Sequence, residues 1–428
     1  MRHLWTILLL ANALPLLGQP LARITVKAGN YDRTDCPVNV PLDQISYNSD
    51  KGELIMTEVT DSKELPVPCQ IEPGHTATLW FILNGNTPAG AEREFILERG
   101  TPPVPDAGIR LKKRQGQLRM VREGHPVLDY QFMTLFPPEG INPLFKRSAF
   151  IHPLWSPGGE VLTRIQPPDH YHHYGIWGPW TKTHIMGREV DFWNLAKGEG
   201  TVRFSGFLTQ SEGPVYTGFR VFKEHVDYGA PGEDRVAIQE ILDIRVWNVD
   251  SDRIWLIDYT SSLSTPLDSG IILDAYRYGG GIGFRATGEW HKDNCTVLTS
   301  EKHDRSTADG TKARWCLVEG ASEVPEGRSG ILFMGHPANR EFPEPMRVWP
   351  LDANGGRGDL FFEFCPIRHN DWVLEKGREA ALKYRMLVFD GAVSPGEAEQ
   401  YWQEFAGPPV VEVLVPSASE PIFQTQRK

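Results

Sequence analysis

The chain has 428 residues, with 44 Lys and Arg against 55 Asp and Glu and a formal net charge of −11. This acidic balance argues against nucleic acid and anionic membrane surfaces as partners, because both attract basic proteins. With 40 % hydrophobic residues, the length suffices for two or more globular domains.

Met1, Arg2 and His3 precede the apolar run Leu4 to Leu17, followed by Gly18-Gln19. This pattern predicts a signal peptide over 1–18. The run is short for a bilayer span and Pro15 interrupts it. The mature protein is therefore expected to be periplasmic or secreted, with no membrane span. Residues 24 to about 100 carry short alternating runs such as "RITVKA", "LIMTEV" and "ATLWFIL", separated by the turn signals "NSDKG" and "NGNTPAG". They predict a small immunoglobulin-like β-sandwich over 19–105. The proline-rich "RGTPPVPDAG" at 99–108 predicts a linker.

Beyond the linker the short strands resume, among them "GTVRFSGFL", "VAIQEILDIRVWNV" and "AALKYRMLVFDG". A large β-sandwich over 106–408 is the expected way to bury them, so the fold class is all-β. Its size suits a supersandwich of the mutarotase type, a comparison of fold alone. Near its end, "SPGEAEQYWQEFAG" predicts a helix, with Ser394 as cap, Pro395 in the first turn and Gly407 as stop. Residues 409–428 are expected to form a tail. None of the five cysteines lies in a C-x-x-C pair, which argues against zinc ribbons and thioredoxin-like motifs. Cys36–Cys69 and Cys295–Cys316 are expected disulfides in an oxidising compartment, with Cys365 left free.

The chemistry concentrates in "PPDHYHHYGIWGPW", residues 167–180. On a regular strand His170 and His172 would share a face and His173 would oppose them, whereas Pro167-Pro168 favours a loop. Three readings follow. Buried imidazoles could satisfy backbone carbonyls. They could line a polar cleft as proton donors and acceptors. They could also be ligands of a divalent metal, although H-x-H-H supplies only a fragment of a ligand set, so no cofactor is expected.

The run "RSAFIHPLWSPGGEVLTRIQPPDHYHHYGIW" with "GREVDFWN", "YRYGGGIGFRA", "GHPANREFPEPMRVW" and "LKYRMLVFDG" resembles the secreted bacterial methane oxygenase PmoA-like family over residues 120–405. The stretch "KAGNYDRTDCPVNVPL" is similar to the leader domain many such proteins carry. The resemblance implies an extracytoplasmic β-sandwich protein, often in bacteria that degrade polysaccharides. It does not imply methane oxidation, whose particulate enzyme is membrane-embedded. Tyr171, Tyr174 and Gly335 depart from the usual pattern, where proline, arginine and aspartate are expected.

The remaining constellations complete a predicted cleft. Arg188, Asp191 and Trp193 in "GREVDFW" pair charge with an aromatic platform for a sugar face, although a packed aromatic edge with an ion pair fits them too. Tyr278 and Arg285 flank three glycines that mark a bulge, a tight turn or a close backbone approach. Glu240 would share a strand face with Leu242 and Ile244, where an apolar surround raises a carboxyl's proton affinity, unless Arg245 or Arg285 merely neutralises it. "GHPANREFPEPMRVW" adds His336, Asn339, Arg340 and Arg347 in a proline-rich loop. The leading expectation is a carbohydrate-active enzyme, a hydrolase, lyase or epimerase, with His172, His173, Glu240 and Arg285 catalytic. Asp169, His170, Trp177, Arg188, Asp191, Trp193, Tyr278, His336, Asn339 and Arg340 would bind substrate. The alternatives are a non-catalytic glycan-binding or envelope protein and a metal-dependent enzyme using His170, His172 and His173.

Overall fold

The computed structural model describes residues 20–416 except 46, 49, 51, 61–62, 103–107, 231 and 233, so the signal-peptide assignment and half of the linker lie outside the described residues. Among these residues the chain forms β-sheets and one α-helix, Pro395–Ala406. The all-β expectation holds. No described helix is long and apolar enough to cross a membrane.

The small sandwich packs a five-stranded sheet on a three-stranded one. Its strands alternate as the sequence does: in Ala22–Lys27, Ala22, Ile24 and Val26 face the core. The final strand of the five-stranded sheet comes from the far end of the chain. Val410–Leu414 pairs antiparallel with Ala22–Lys27, and Val411 and Val413 pack on the small core. The segment 409–428 is thus not simply a tail. "VVEVL" carries the same period-two pattern as the strand it joins.

The large domain packs an eight-stranded sheet, from Gly200–Ser211 to Cys295–Thr299, on a nine-stranded sheet, from Lys312–Ala313 to Ile109–Arg114. Ile238, Leu242, Ile244, Ile176, Phe284 and Phe362 fill the space between them. The other face of the eight-stranded sheet is covered by the small domain through Ile82 and by the helix through Ala398. The helix starts as the sequence predicts. Ser394 and Glu397 form a reciprocal capping box that satisfies two backbone donors.

All five thiols are free, which overturns both predicted disulfides. Cys36 and Cys69 pair with Leu83 and Phe81 on opposite sides of the strand Thr78–Thr87. Two strand spacings, about 10 Å, separate them, more than a disulfide spans. Cys295 lies opposite Gly320 and Cys316 opposite Thr299, four residues or about 13 Å along the ladder.

A chain ending at Pro409 would leave the edge of Ala22–Lys27 unpaired and uncover the surface under Val411 and Val413. Losing two half-buried valines is expected to destabilise the small domain by roughly 2–4 kcal/mol. Thermal unfolding should show a lowered transition, and an unchanged curve would show that the returning strand contributes nothing.

Candidate functional site

The histidine segment is a loop. Two successive tight turns, closed by His170 N–H to Pro167 O at 2.9 Å and His173 N–H to His170 O at 3.0 Å, wind residues 167–173. This winding brings together side chains that a strand would alternate: the imidazole centroids of His170, His172 and His173 lie 4.8 to 5.3 Å apart. Gly175 anchors the loop at φ +61°, where a Cβ would lie 2.3 Å from the Ile151 carbonyl oxygen, so only glycine lets the chain drop into the strand Ile176–Trp177.

That strand lies inside the nine-stranded sheet. Ile176 faces the inter-sheet core, while Trp177 joins Tyr174, Trp193, Trp349 and Phe361 in an aromatic layer on the outer face. A cavity of about 350 Å³ opens there. It is lined by His170, His172, Trp193, Asn194, Tyr278, Trp349, Asn354 and Phe361, with Arg277 and Arg347 in its wall. His173 lies deeper, 1 % exposed, with its ring 4.9 Å from Phe361 and 5.7 Å from Trp193.

A chain of charges holds the loop. Arg285 donates from Nη2 to Asp169 Oδ2 at 2.7 Å and to Asp359 Oδ2 at 2.9 Å, and its guanidinium lies 4.6 Å from the Trp349 ring centroid. Asp359 also accepts from Arg164 Nη2 at 2.6 Å and Asn354 Nδ2 at 2.9 Å. Asp169 in turn accepts from His170 Nδ1 at 2.9 Å, which leaves the His170 Nε2 lone pair free. Arg305 pins the other wall by donating to the carbonyls of Trp349, Gly358 and Asp359.

Burial lowers the His172 pKa to about 4, helped by repulsion from His170, and drives His173 well below the usual histidine value. Both are neutral near pH 7. Burial pushes the Asp169 carboxyl upward, but its bond to His170 and the Arg285 charge outweigh this and bring it down to about 2.

The predicted residues separate into three groups. His170, His172, Trp193 and Tyr278 line the cavity as expected. Asp169, His173, Trp177, Asp191 and Arg285 stand around or beneath it in supporting roles. Arg285 is fully buried, so it positions Asp169 and does not touch a ligand. Trp177 is buried under His173 at 5.4 Å. Asp191 accepts from the backbone N–H groups of Trp193 and Asn194 and shapes the turn that presents them.

The third group lies elsewhere. Arg188 pairs with Asp227. His336 borders a different cavity, with Trp80, Arg245 and Phe405, where the small domain meets the helix. Asn339 donates to Glu344 Oε1 at 2.7 Å, and Arg340 donates to the Asp371 carbonyl. Glu240 is the main correction. It does share its strand face with Leu242 and Ile244, but that face is the inter-sheet core, and the carboxylate is fully buried. Lys223 Nζ, Ser261 Oγ and His225 Nε2 each lie 2.8 Å from it, so it is paired internally, with the nine-stranded sheet between it and the histidines. Burial pushes its proton affinity up, but Lys223 and His225 reverse the sign and lower it. The three glycines before Arg285 serve packing: a Cβ on Gly280 would lie 2.5 Å from the Trp180 ring and one on Gly281 2.2 Å from the Phe364 carbonyl oxygen.

Sequence reasoning missed Asn194, Arg277, Trp349, Asn354 and Asp359 as parts of this site. It also missed Glu363, which alternates with Phe362 on the outer-face side and accepts from the Gly279 N–H at 2.8 Å, with burial raising its pKa well above the carboxylate range.

Residues 117–403 match the model described as a family of unknown function (DUF6807). No curated protein matches the sequence. Among solved structures, the chain is similar to a glycosyl hydrolase family 38 protein from Enterococcus faecalis, at 8 % identity and TM-score 0.49, over 92 % of this chain and 47 % of that one. It is similar to heparan sulfate lyase HepC from Pedobacter heparinus at 8 % identity and TM-score 0.31, over 69 % and 38 % respectively. The chain thus spans about half the length of the first and less of the second. None of these matches links it to a methane oxygenase.

Two predictions follow from the buried carboxyls. Glu240→Gln removes the counter-charge of Lys223 inside the core and is expected to cost about 3–5 kcal/mol in urea unfolding. A stable variant would show that the charges relax apart. Glu344 behaves oppositely: burial raises its pKa from 4.5 to about 8, so it folds as the neutral acid. Its contribution to stability is full below the unfolded pKa and is lost as pH rises toward 8. Glu344→Gln should flatten the decline in stability between about pH 5 and 8, and an unchanged slope would assign that decline to other groups.

Proposed function

Because the chain belongs to the DUF6807 family, whose function is unknown, we propose from the site itself that this protein is a carbohydrate-active enzyme whose substrate is an acidic sugar. The observation that carries this reading is the histidine cavity, where imidazole nitrogens, aromatic faces and arginines converge in a space of about 350 Å³. Trp193, Tyr278, Trp349 and Phe361 offer ring faces for sugar C–H groups, and Asn194 and Asn354 offer amides for hydroxyls. Arg277 is exposed in the wall with no carboxylate partner among the described residues, and Arg347 faces the same space while paired to Asp309. These arginines give a basic wall to a protein of net charge −11. A local field of that sign selects a carboxylate-bearing ligand.

Recognition alone would not need imidazoles on the cavity floor. Their neutral, unprotonated nitrogens favour chemistry at the sugar, of hydrolase, lyase or epimerase type, with the protein exported. The second reading is a non-catalytic binder, and the burial of Glu240 favours it by removing the carboxylate from the acid–base pair.

Binding of a uronic-acid disaccharide and its neutral counterpart, followed by tryptophan fluorescence, tests the ligand class. The acidic sugar is expected to bind more tightly, and Arg277→Ala should weaken it about ten- to a hundredfold while leaving the neutral sugar unchanged. Equal affinities for the two sugars would overturn the acidic-substrate reading. Turnover of uronic-acid oligosaccharides should fall about a hundredfold or more in His172→Ala. Binding without turnover by the unaltered protein would leave the binder.

A further inference from the structure

We infer that His170, His172 and His173 together hold a divalent transition-metal ion, with an open coordination position facing the cavity. This goes beyond the acidic-sugar reading and does not depend on it. Each imidazole offers one ligand nitrogen, and the three atoms lie within 4.8 Å of one another. Three nitrogen lone pairs in an aromatic surround are costly to desolvate together unless a cation shares them.

Two further observations point the same way. The His170 Nδ1–H is held by Asp169, which Arg285 holds in turn at 2.7 Å. Metal-binding imidazoles commonly have such an outer carboxylate, because it fixes the tautomer and makes the opposite nitrogen a better donor. His173, 1 % exposed, has an Nδ1 with no hydrogen-bond partner among the described residues, so this buried nitrogen has its lone pair or proton to offer a ligand beside His170 and His172. The carboxylate is committed to His170 and Arg285, so the ligand set is three neutral nitrogens. Such a set suits zinc, copper, iron or nickel rather than the oxygen-seeking magnesium or calcium.

Three protein ligands leave a fourth position, which is the arrangement of catalytic zinc. The cavity lies where that position opens, so a water or a sugar oxygen would reach the ion there. A metal with three neutral ligands retains its full positive charge and acidifies bound water, giving the cavity a base that Glu240 does not provide.

The test uses the full chain, stripped with a chelator and titrated with Zn2+ and Co2+ by calorimetry and visible absorption. One equivalent of each ion should bind, with an intense four-coordinate Co2+ spectrum and a raised Tm. His170→Ala and His172→Ala should each weaken binding at least about tenfold while their far-ultraviolet circular dichroism stays native. Asp169→Asn should weaken it about ten- to a hundredfold without removing a ligand. Substoichiometric binding of both ions, or native affinity in folded His170→Ala, would overturn the metal site. Uronic-acid binding to the stripped protein is measured separately. Sugar binding without metal binding defeats only the metal, and metal binding without sugar binding defeats only the sugar reading.

Discussion

Arg285 sits fully buried on an interior strand of the nine-stranded sheet, where two carboxylates meet its guanidinium and offset the cost of burying the charge. Asp169 comes to it from the histidine loop and Asp359 from the segment that follows Trp349. Each aspartate is fixed by a further donor, His170 for one and Arg164 for the other. Two segments almost 200 residues apart in sequence are therefore drawn to one point, and the cavity is the space left between them. The histidine turn has its shape from backbone hydrogen bonds, but its place in the fold comes from this charge.

The aromatic layer gives the site its second property. Tyr174, Trp177, Trp193, Trp349 and Phe361 exclude water from the ring faces of the histidines, which is why two of those imidazoles remain neutral. The inter-sheet core uses the same physics to a different end. There Glu240, Lys223 and His225 neutralise one another behind a sheet, with no route to a ligand. A perturbed pKa marks both places, and only the geometry tells a site from an internal ion pair.

Period-two patterning in the sequence made the β-class and the small sandwich readable, and Ser394, Pro395 and Gly407 did the same for the capped helix. Glu240 shows the limit of that reading: alternation placed it correctly with Leu242 and Ile244, but whether that face looks into a cleft or a core depends on a partner sheet the local sequence does not describe. The same holds for Cys295 and Cys316, whose separation is set by register. The histidines clustered in sequence for a reason, yet a strand template set His173 against its neighbours, and two tight turns reversed that. Arg277, Trp349 and Asn354 carry no shared signal, since only tertiary folding assembles them around His172. The strand Val410–Leu414 was expected to be tail although "VVEVL" alternates, because nothing nearby announced a partner almost 400 residues away.

That returning strand also sets an order of events during synthesis. The ribosome delivers the first strand of the small sandwich early and its edge neighbour last, after the whole large domain has emerged. At ordinary elongation rates the wait is on the order of tens of seconds. Through that interval the edge of Ala22–Lys27 is an open template for any passing strand. The small domain, although first in sequence, is thus the last to be completed, and the nascent chain is most exposed to mispairing at its beginning.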